Sequence, residues 1–223
     1  LLKRNTEVFK SIIDPVTSSG FNGIFLVATN PVDIMTRITC TLSGFNPRRV
    51  LGTGTALDTA RLRYLLGEYL KVDPRNIHAY VMGEHGDTEF VPWSQAMVAT
   101  KSITELCEES HGSICAQELE QISEEVRTAA YKIIEAKNAT YYGIGMALTR
   151  ITKAILGNEH SVLTVSAMLR GEYGQSGIFT GVPCIINQNG VQRVLPLSLS
   201  EEESEKLEQS CQILKRSYEE LEI

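Results

Sequence analysis

A histidine in a glycine-flanked turn is the residue of this sequence best suited to proton chemistry. His85 stands in the segment MGEHGD, residues 82–87, directly after an apolar run that is typical of a strand. Imidazole titrates near pH ~6.5, so it can accept a proton at one stage of a reaction and return it at another. The nearby glycines let a ligand approach the backbone closely. The alternative interpretation is a structural histidine in a tight polar turn.

The acidic neighbours of His85 raise the question of a metal site. Glu84 and Asp87 lie within two residues of the histidine, which is not the usual spacing of metal ligands. The sequence also contains no HExxH motif and no cysteine cluster. We therefore expect no metal here.

A carboxylate and a guanidinium share one face of a predicted helix. Asp58 and Arg61 are three residues apart, so their side chains leave the helix one turn from each other. Their simplest interpretation is a surface ion pair, which contributes little to stability. In the functional interpretation, Asp58 accepts a hydrogen bond from one nitrogen of His85 and favours the protonated ring. Arg61 then holds a substrate carboxylate through two parallel hydrogen bonds.

An asparagine follows the most apolar run of the chain. Residues 23–28 form a continuous apolar segment that ends at Thr29, Asn30 and Pro31. In open α/β sheets, ligands bind beyond the carboxyl ends of the strands. The amide of Asn30 is therefore placed to bond a cofactor or a substrate carbonyl, although the turn alone indicates only a boundary between two elements.

The pattern of apolar residues predicts the elements that position these side chains. Helices are predicted over 1–20, 32–42, 56–70, 105–137 with a break around Gly112, 140–156 and 201–221. Strands are predicted over 23–28, 49–51, 77–82, 161–170, 177–186 and 190–197. The order indicates an α/β protein: the second half of a doubly wound Rossmann sheet, then an α+β domain with antiparallel strands.

Composition narrows the classes of partner. The 223 residues include 21 Lys+Arg and 27 Asp+Glu, and 43% are hydrophobic, as in ordinary soluble globular proteins. A net charge of −6 without a basic stripe argues against nucleic acid, and no apolar run approaches the ~18 residues of a membrane span. The five cysteines form no CxxC pair, so we expect free thiols in a reducing cytoplasm.

Four ordered motifs together resemble one protein family. VATNPVD (27–33), LGTGTALDTARLR (51–63), MGEHGDTE (82–89) and KNATYYGIGMAL (137–148) are similar to segments of the lactate/malate dehydrogenase family. Within the family the likeness is to the NAD-dependent L-lactate dehydrogenases, which interconvert pyruvate and lactate. It runs through essentially the whole chain, and four motifs in this order are far more specific than any one of them.

The resemblance implies a role for each motif residue. His85 is the proton donor and acceptor, Asp58 orients it, and Arg61 binds the substrate carboxylate. Thr140 lines the substrate pocket, and Asn30 lies between nicotinamide and substrate. Asp33 falls in the substrate-side turn. The residues that border the cofactor NAD, besides Asn30, are Ser11, Ala28, Thr29 and Thr53.

Two basic residues match an effector site of bacterial members of the family. Arg63 and His78 correspond to positions that bind fructose 1,6-bisphosphate across a subunit interface. Two basic side chains doubled by a two-fold axis suit a bisphosphate, and the resemblance implies a homotetramer. The alternative is a solvated arginine and a histidine at a strand end.

The sequence departs from the family pattern at the nucleotide motif. It contains no GxGxxG, because Gly52-Thr53-Gly54 is followed by Leu57 and Gly143-Ile144-Gly145 by Leu148. The resemblance places the first mononucleotide-binding half and the active-site loop upstream of Leu1, so we expect an N-terminally truncated chain that binds NAD weakly. It also divides the chain into residues 1–54, the remaining dinucleotide-binding part, and 55–223, the substrate and catalytic domain.

Two alternatives to a cytoplasmic lactate dehydrogenase stay open. The missing loop carries the residue that separates lactate from malate, so a malate dehydrogenase is the nearest competing enzyme. A catalytically silent truncated paralogue that associates with intact subunits is the competing non-enzyme. Upstream coding sequence with GxGxxG and a loop arginine would favour the enzyme.

Overall fold

Seven α-helices and eight strands follow one another in the parts of the chain that the computed structural model describes, residues 2–111 and 115–221. The helices are α1 (Leu2–Ser18), α2 (Val32–Ser43), α3 (Ala56–Leu70), α4 (Ile103–His111), α5 (Cys115–Lys137), α6 (Tyr142–Leu156) and α7 (Glu201–Glu219). The strands are β1 (Phe25–Val27), β2 (Val50–Gly52), β3 (Ile77–His78), β4 (Met97–Val98), β5 (Lys101–Ser102), β6 (Ser161–Arg170), β7 (Ser176–Asn187) and β8 (Gly190–Val194).

Five strands form one mixed sheet in the order β1-β2-β6-β7-β8. β1 and β2 are parallel, as expected for part of a doubly wound sheet, while β6, β7 and β8 form an antiparallel meander. The two sets join at one antiparallel pair, Gly52 with Ser166. A separate small sheet contains β3, β4 and β5. The predicted α/β class is confirmed, and the antiparallel strands extend the parallel pair instead of standing apart from it.

The apolar faces of the helices pack into two hydrophobic clusters. Met35 and Ile38 of α2 and Leu207 of α7 pack into the cluster around the large sheet. A second cluster joins Leu62 of α3 to the buried faces of α4 and α5. The position of α3 between the two clusters follows from this burial, and the beginning of α3 carries the predicted site residues.

The predicted strand over 77–82 is shorter in the structure, where β3 ends at His78. Side-chain hydroxyls bond the backbone that a sheet ladder would have used. Thr55 Oγ1 donates to the carbonyl of Val81 at 2.6 Å, and the Val81 N–H donates to Thr59 Oγ1 at 2.9 Å. The segment is thereby fixed against α3, so its apolar composition does not lead to a longer strand.

The expectation of five free thiols is wrong for one pair. Cys107, in the middle of α4, and Cys115, the first residue of α5, form a disulfide, with Cα atoms 5.4 Å apart. Cys40, Cys184 and Cys211 are free. A spacing of eight residues is not a recognised disulfide motif, so the sequence did not indicate this pair. The break predicted around Gly112 lies outside the described residues.

The C-terminal helix begins at a capping box. The Glu203 N–H donates to the Ser200 hydroxyl, and the Glu203 carboxylate accepts from the Ser200 N–H. The same carboxylate accepts from the backbone and hydroxyl of Ser94, so the cap also ties α7 to a distant loop.

Among the described helices, none has the length and apolarity that a bilayer span requires.

The turn from β2 to α3 depends on a glycine. Gly54 has φ +49°, a left-handed conformation that side chains with a Cβ rarely adopt. A Cβ at this position would meet the backbone nitrogen of Ser166 and lie 2.6 Å from the carbonyl carbon of Val165. The turn therefore approaches β6 as closely as only glycine allows.

This geometry predicts the effect of Gly54→Ala on stability. The matched control is Gly44→Ala, because Gly44 has φ +63° but open space around its absent Cβ. We expect the control to lower the free energy of unfolding by about 1–2 kcal/mol, the cost of the left-handed conformation alone. Gly54→Ala should lose about 1–3 kcal/mol more from the clash with β6. Urea denaturation measures both, and equal losses would show that β6 does not constrain the turn.

Candidate active site

The first turns of α3 position a carboxylate and a guanidinium from the predicted set. Asp58 is 4% exposed and Arg61 lies one turn further along, with Arg61 Nη1 3.5 Å from Asp58 Oδ1. Thr59, between them, hydrogen-bonds Thr164 of β6 through their hydroxyls at 2.8 Å. The helix start is therefore fixed on two sides, and the carboxylate and the guanidinium point from a rigid support.

Three elements hold the loop that carries His85. The N–H and C=O groups of Gly83 pair with those of Gly181 on β7, and the Glu84 N–H donates to the buried hydroxyl of Ser210 on α7 at 2.6 Å. The N–H of His85 itself donates to the Asp33 carboxylate of α2 at 2.8 Å. The histidine is thus placed by backbone contacts that are independent of its side chain.

The imidazole of His85 contacts the carboxylate of Asp58. Nδ1 of the ring lies 2.7 Å from Asp58 Oδ2, the distance of a charge-assisted hydrogen bond. A carboxylate accepts but does not donate when ionised, so Nδ1 carries the proton and Nε2 is left for a substrate. Burial alone lowers the pKa of His85, but the hydrogen bond and charge of Asp58, with Glu89 and Asp33, outweigh it and raise the pKa to about 9.

Most of the predicted residues line one cavity of about 280 Å³. Seven of the predicted residues border it: Ala28, Asn30, Thr53, Asp58, Arg61, His85 and Thr140. They come from the carboxyl ends of β1 and β2, from α3, from the His85 loop and from the segment before α6. An imidazole, a guanidinium and an amide therefore face the same enclosed volume, which can hold a small acid by its carboxylate and exchange a proton with its oxygen.

Other predicted residues lie outside that cavity. Ser11 is exposed on α1, where its hydroxyl donates to the Val8 carbonyl at 2.7 Å, and Thr29 is exposed beside the cavity rim. Asp33 is only 2% exposed and supports the His85 backbone from behind. Burial raises the pKa of Asp33 to about 6, although the hydrogen bond from the His85 N–H lowers it in part.

The predicted effector residues lie on another part of the surface. Arg63 donates from Nε to the carbonyl of Ala79 at 3.0 Å, and its guanidinium lies 5.0 Å from the centre of the Tyr80 ring. His78, the residue before Ala79, is exposed. Arg63 also borders a separate cavity of about 390 Å³ between α3, α6 and β6.

Sequence reasoning missed several residues around His85. Glu89 is 9% exposed, and its Oε2 lies 3.9 Å from His85 Nδ1. The signal was present, since Glu89 ends the MGEHGDTE motif four residues after the histidine. The apolar wall of the cavity was also missed, because Ile133 and Ile134 of α5 and the tyrosines before and within α6 reach it only through the fold.

Asp58, His85 and Glu89 offer ligand atoms that all lie within 4.8 Å of one another. Within residues 2–111 and 115–221, no other group of three or more His, Cys, Asp or Glu side chains is close enough together to hold a metal ion. Of these ligand atoms, His85 Nδ1 is already engaged with Asp58 Oδ2 at 2.7 Å. The absence of a metal from the chemistry stays a prediction.

The cavity suits the nicotinamide end of a dinucleotide. Small or polar side chains, Ala28, Asn30 and Thr53, border it at the carboxyl ends of parallel strands, where such ligands bind. The pyrophosphate turn has no counterpart, since the sequence contains no GxGxxG. The described residues therefore fit one half of the cofactor.

Comparison with known proteins identifies the family. The model of the lactate/malate dehydrogenase NAD binding domain matches residues 1–52, and that of the lactate/malate dehydrogenase alpha/beta C-terminal domain matches residues 55–222. L-lactate dehydrogenase 2 of Bacillus anthracis is 52% identical over 217 residues, which are 97% of this chain and 69% of that protein.

Solved structures agree with the sequence comparison. The lactate dehydrogenase MGS-M5 from a Medee basin deep-sea metagenome library matches with a TM-score of 0.96 and 46% identity, over 100% of this chain and 71% of its own. The minor L-lactate dehydrogenase of Enterococcus mundtii, in its ligands-bound form, matches with a TM-score of 0.93 and 48% identity, over 99% of this chain and 70% of its own. The chain belongs to the lactate/malate dehydrogenase family.

Proposed function

We propose that the chain provides the substrate-binding and proton-transfer part of an NAD-dependent L-lactate dehydrogenase, an oxidoreductase that interconverts (S)-lactate and pyruvate. The observation that carries the proposal is the meeting of His85, Asp58 and Arg61 at one cavity. The names of the relatives support lactate as the substrate over malate.

Each side chain has a separate task in this reaction. Arg61 binds the carboxylate of pyruvate and fixes its orientation. His85, protonated at both nitrogens, donates from Nε2 to the carbonyl oxygen while the hydrogen bond to Asp58 stabilises the ring's charge. In lactate oxidation the neutral ring accepts the hydroxyl proton at Nε2. Asn30 and Thr140 border the same volume and complete the binding of the small acid.

NAD supplies hydride exchange with the substrate carbon when it is bound. Ala28, Asn30 and Thr53 would hold its nicotinamide end at the cavity, and Ser11 and Thr29 would contact it further out. The protein's share of the chemistry is the position of the keto acid relative to that ring and the proton at Nε2.

We also propose that the protein is an allosteric cytoplasmic homotetramer that acts in glycolysis, in pyruvate fermentation to lactate. Arg63 and His78 would bind fructose 1,6-bisphosphate, and the hydrogen bond from Arg63 to Ala79, the residue after His78, supports this by bringing the two side chains near each other.

The division at residues 54 and 55 into a dinucleotide-binding part and a catalytic part is proposed likewise, supported by the extents of the two family matches.

A catalytically silent partner of intact subunits is the second candidate. A partner of this kind needs no GxGxxG motif, and the 223 residues contain none. Titration with NADH separates the candidates, because weak binding by this chain and tight binding by a longer form identify the missing turn as the cause.

The proposed roles predict the kinetics of two variants, made in a protein that contains this chain and a complete dinucleotide-binding half. His85→Asn should lower kcat for pyruvate reduction by about a hundredfold or more, because the proton donor is lost. Arg61→Lys should lower kcat/KM by about tenfold or more, because a single ammonium cannot make two parallel bonds. NADH consumption measures both rates. His160→Asn, an exposed histidine bonded to Gln192, is the control. Near-normal turnover of His85→Asn would exclude the mechanism.

The raised pKa of His85 predicts the pH dependence. Pyruvate reduction needs the protonated ring, so kcat/KM should stay level below the His85 pKa of about 9 and fall as the pH rises through it. Lactate oxidation needs the neutral ring and should rise over the same interval. In Asp58→Asn the charge that favours the imidazolium is lost, so both limbs should move to lower pH. Initial rates across this interval test the shift, and unmoved limbs would contradict the role of Asp58.

The effector proposal predicts loss of a response in Arg63→Gln. In the tetramer, fructose 1,6-bisphosphate should lower the apparent KM for pyruvate, and Arg63→Gln should remove that change because an anion partner is lost. Arg75→Gln is the matched control, since Arg75 borders the same cavity but is paired with Asp73 at 2.6 Å. An unchanged response in Arg63→Gln, or no response in the parent protein, rejects the site.

A further inference from the structure

A second carboxylate lies behind the catalytic imidazole. Glu89 Oε2 is 3.9 Å from His85 Nδ1, the same nitrogen that contacts Asp58 at 2.7 Å. The Glu89 N–H donates to the Gly86 carbonyl at 3.3 Å, and this tight turn brings the side chain back to the ring. The Glu89 side chain is 6% exposed, so its charge is close to the imidazole and weakly screened by solvent.

The Glu89 carboxylate has little other support for a negative charge. Within the described part of the chain it accepts no hydrogen bond, in contrast to the carboxylate of Asp58. Burial, and then the charge of Asp58, raise the pKa of Glu89 well above its usual value. The cations that oppose this are His85, Arg127 and Arg61. The two guanidinium groups stay charged whereas the imidazole titrates, so the charge on Glu89 depends on the charge on the ring.

Glu89 also borders a cavity separate from the substrate cavity. This second cavity of about 310 Å³ lies between residues 87–93, α5 and α7, and shares no lining residue with the first. Its basic residues are engaged by exposed acids, Arg127 by Glu124 at 2.9 Å and Lys206 by Glu202 at 2.7 Å. Glu89 therefore faces a cavity other than the one proposed for the substrate.

We propose that Glu89 is a second positioning carboxylate for the reaction, one that acts on His85 from the side opposite the substrate and carries its charge while the imidazole carries its own. The inference rests on the proposed function for its catalytic meaning. Asp58 sets the orientation and tautomer of the ring by its hydrogen bond, whereas Glu89 adds charge stabilisation without a bond. Asp33, the remaining acid facing His85, is engaged with the backbone N–H.

The direct test is the protonation of His85 in Glu89→Gln, which keeps the size of the side chain and removes its charge. The sequence has four histidines, so the imidazole NMR signals of this chain are few, and the His85→Asn variant assigns the relevant one. We expect Glu89→Gln to lower the titration midpoint of His85 by about 1 pH unit, recorded in the presence of EDTA to exclude metal ions. Asp58→Asn provides the reference for loss of the bonded carboxylate.

The matched control is Glu120→Gln, because Glu120 borders the same cavity but its side chain is 72% exposed. Its His85 midpoint should equal that of the parent chain. If Glu89→Gln does not fold, Glu89→Asp keeps the charge, moves it away from the ring and should give a smaller shift in the same direction. A His85 midpoint in Glu89→Gln or Glu89→Asp equal to that of Glu120→Gln would overturn the proposal.

Kinetics separate this inference from the proposed function. In an active longer form, the alkaline limb of kcat/KM for pyruvate should move in Glu89→Gln by the same amount as the NMR midpoint. A shifted midpoint in a protein without lactate dehydrogenase activity would support the Glu89 coupling and reject the proposed function. A shifted midpoint with an unmoved kinetic limb would reject the positioning role of Glu89 in the reaction.

Discussion

The hydrogen bond between His85 and Asp58 is the contact that the rest of the site depends on. It joins two segments 27 residues apart, and its 2.7 Å length leaves little freedom for either of them. Each end has its own support: the turn at Gly54 and the Thr59 hydroxyl place Asp58, and the contacts of Gly83 and Glu84 place His85. Buried threonine and serine hydroxyls thus do here what a longer strand would do elsewhere. They satisfy irregular backbone and fix it at the same time.

Much of the fold was predictable because its elements carry strong local patterns. Helix 56–70 and strand 161–170 agree with the structure at both ends, since apolar periodicity and flanking turn residues define them. The prediction of a strand over 77–82 was too long because Thr55 and Thr59, outside that segment, supply hydrogen bonds to its backbone. The disulfide between Cys107 and Cys115 was missed for a similar reason, since the proximity of the two sulfurs depends on how α4 and α5 pack and not on their spacing in the sequence.

The candidate site shows the same division between local and long-range information. Spacing along α3 was enough to place Asp58 and Arg61 on one face, but only the family resemblance linked them to His85. Asp33 was predicted on the substrate side, and the structure shows its carboxylate beneath the histidine loop. Glu89 was within a quoted motif, but its position against the ring depends on the turn at Gly86, and hydropathy gives no sign of that.

The parallel and antiparallel parts of the large sheet are joined by a single residue pair, Gly52 of β2 with Ser166 of β6. β2 is an interior strand, with β1 on one side and β6 on the other, so the two family-model segments share one sheet. Cutting the backbone between them would not release two autonomous modules, because each piece would be left with an open edge. Such fragments should instead reassociate along the β2–β6 edge, as in complementation of a split protein, and the hydrogen bond from the His85 N–H to the Asp33 carboxylate would re-form only then.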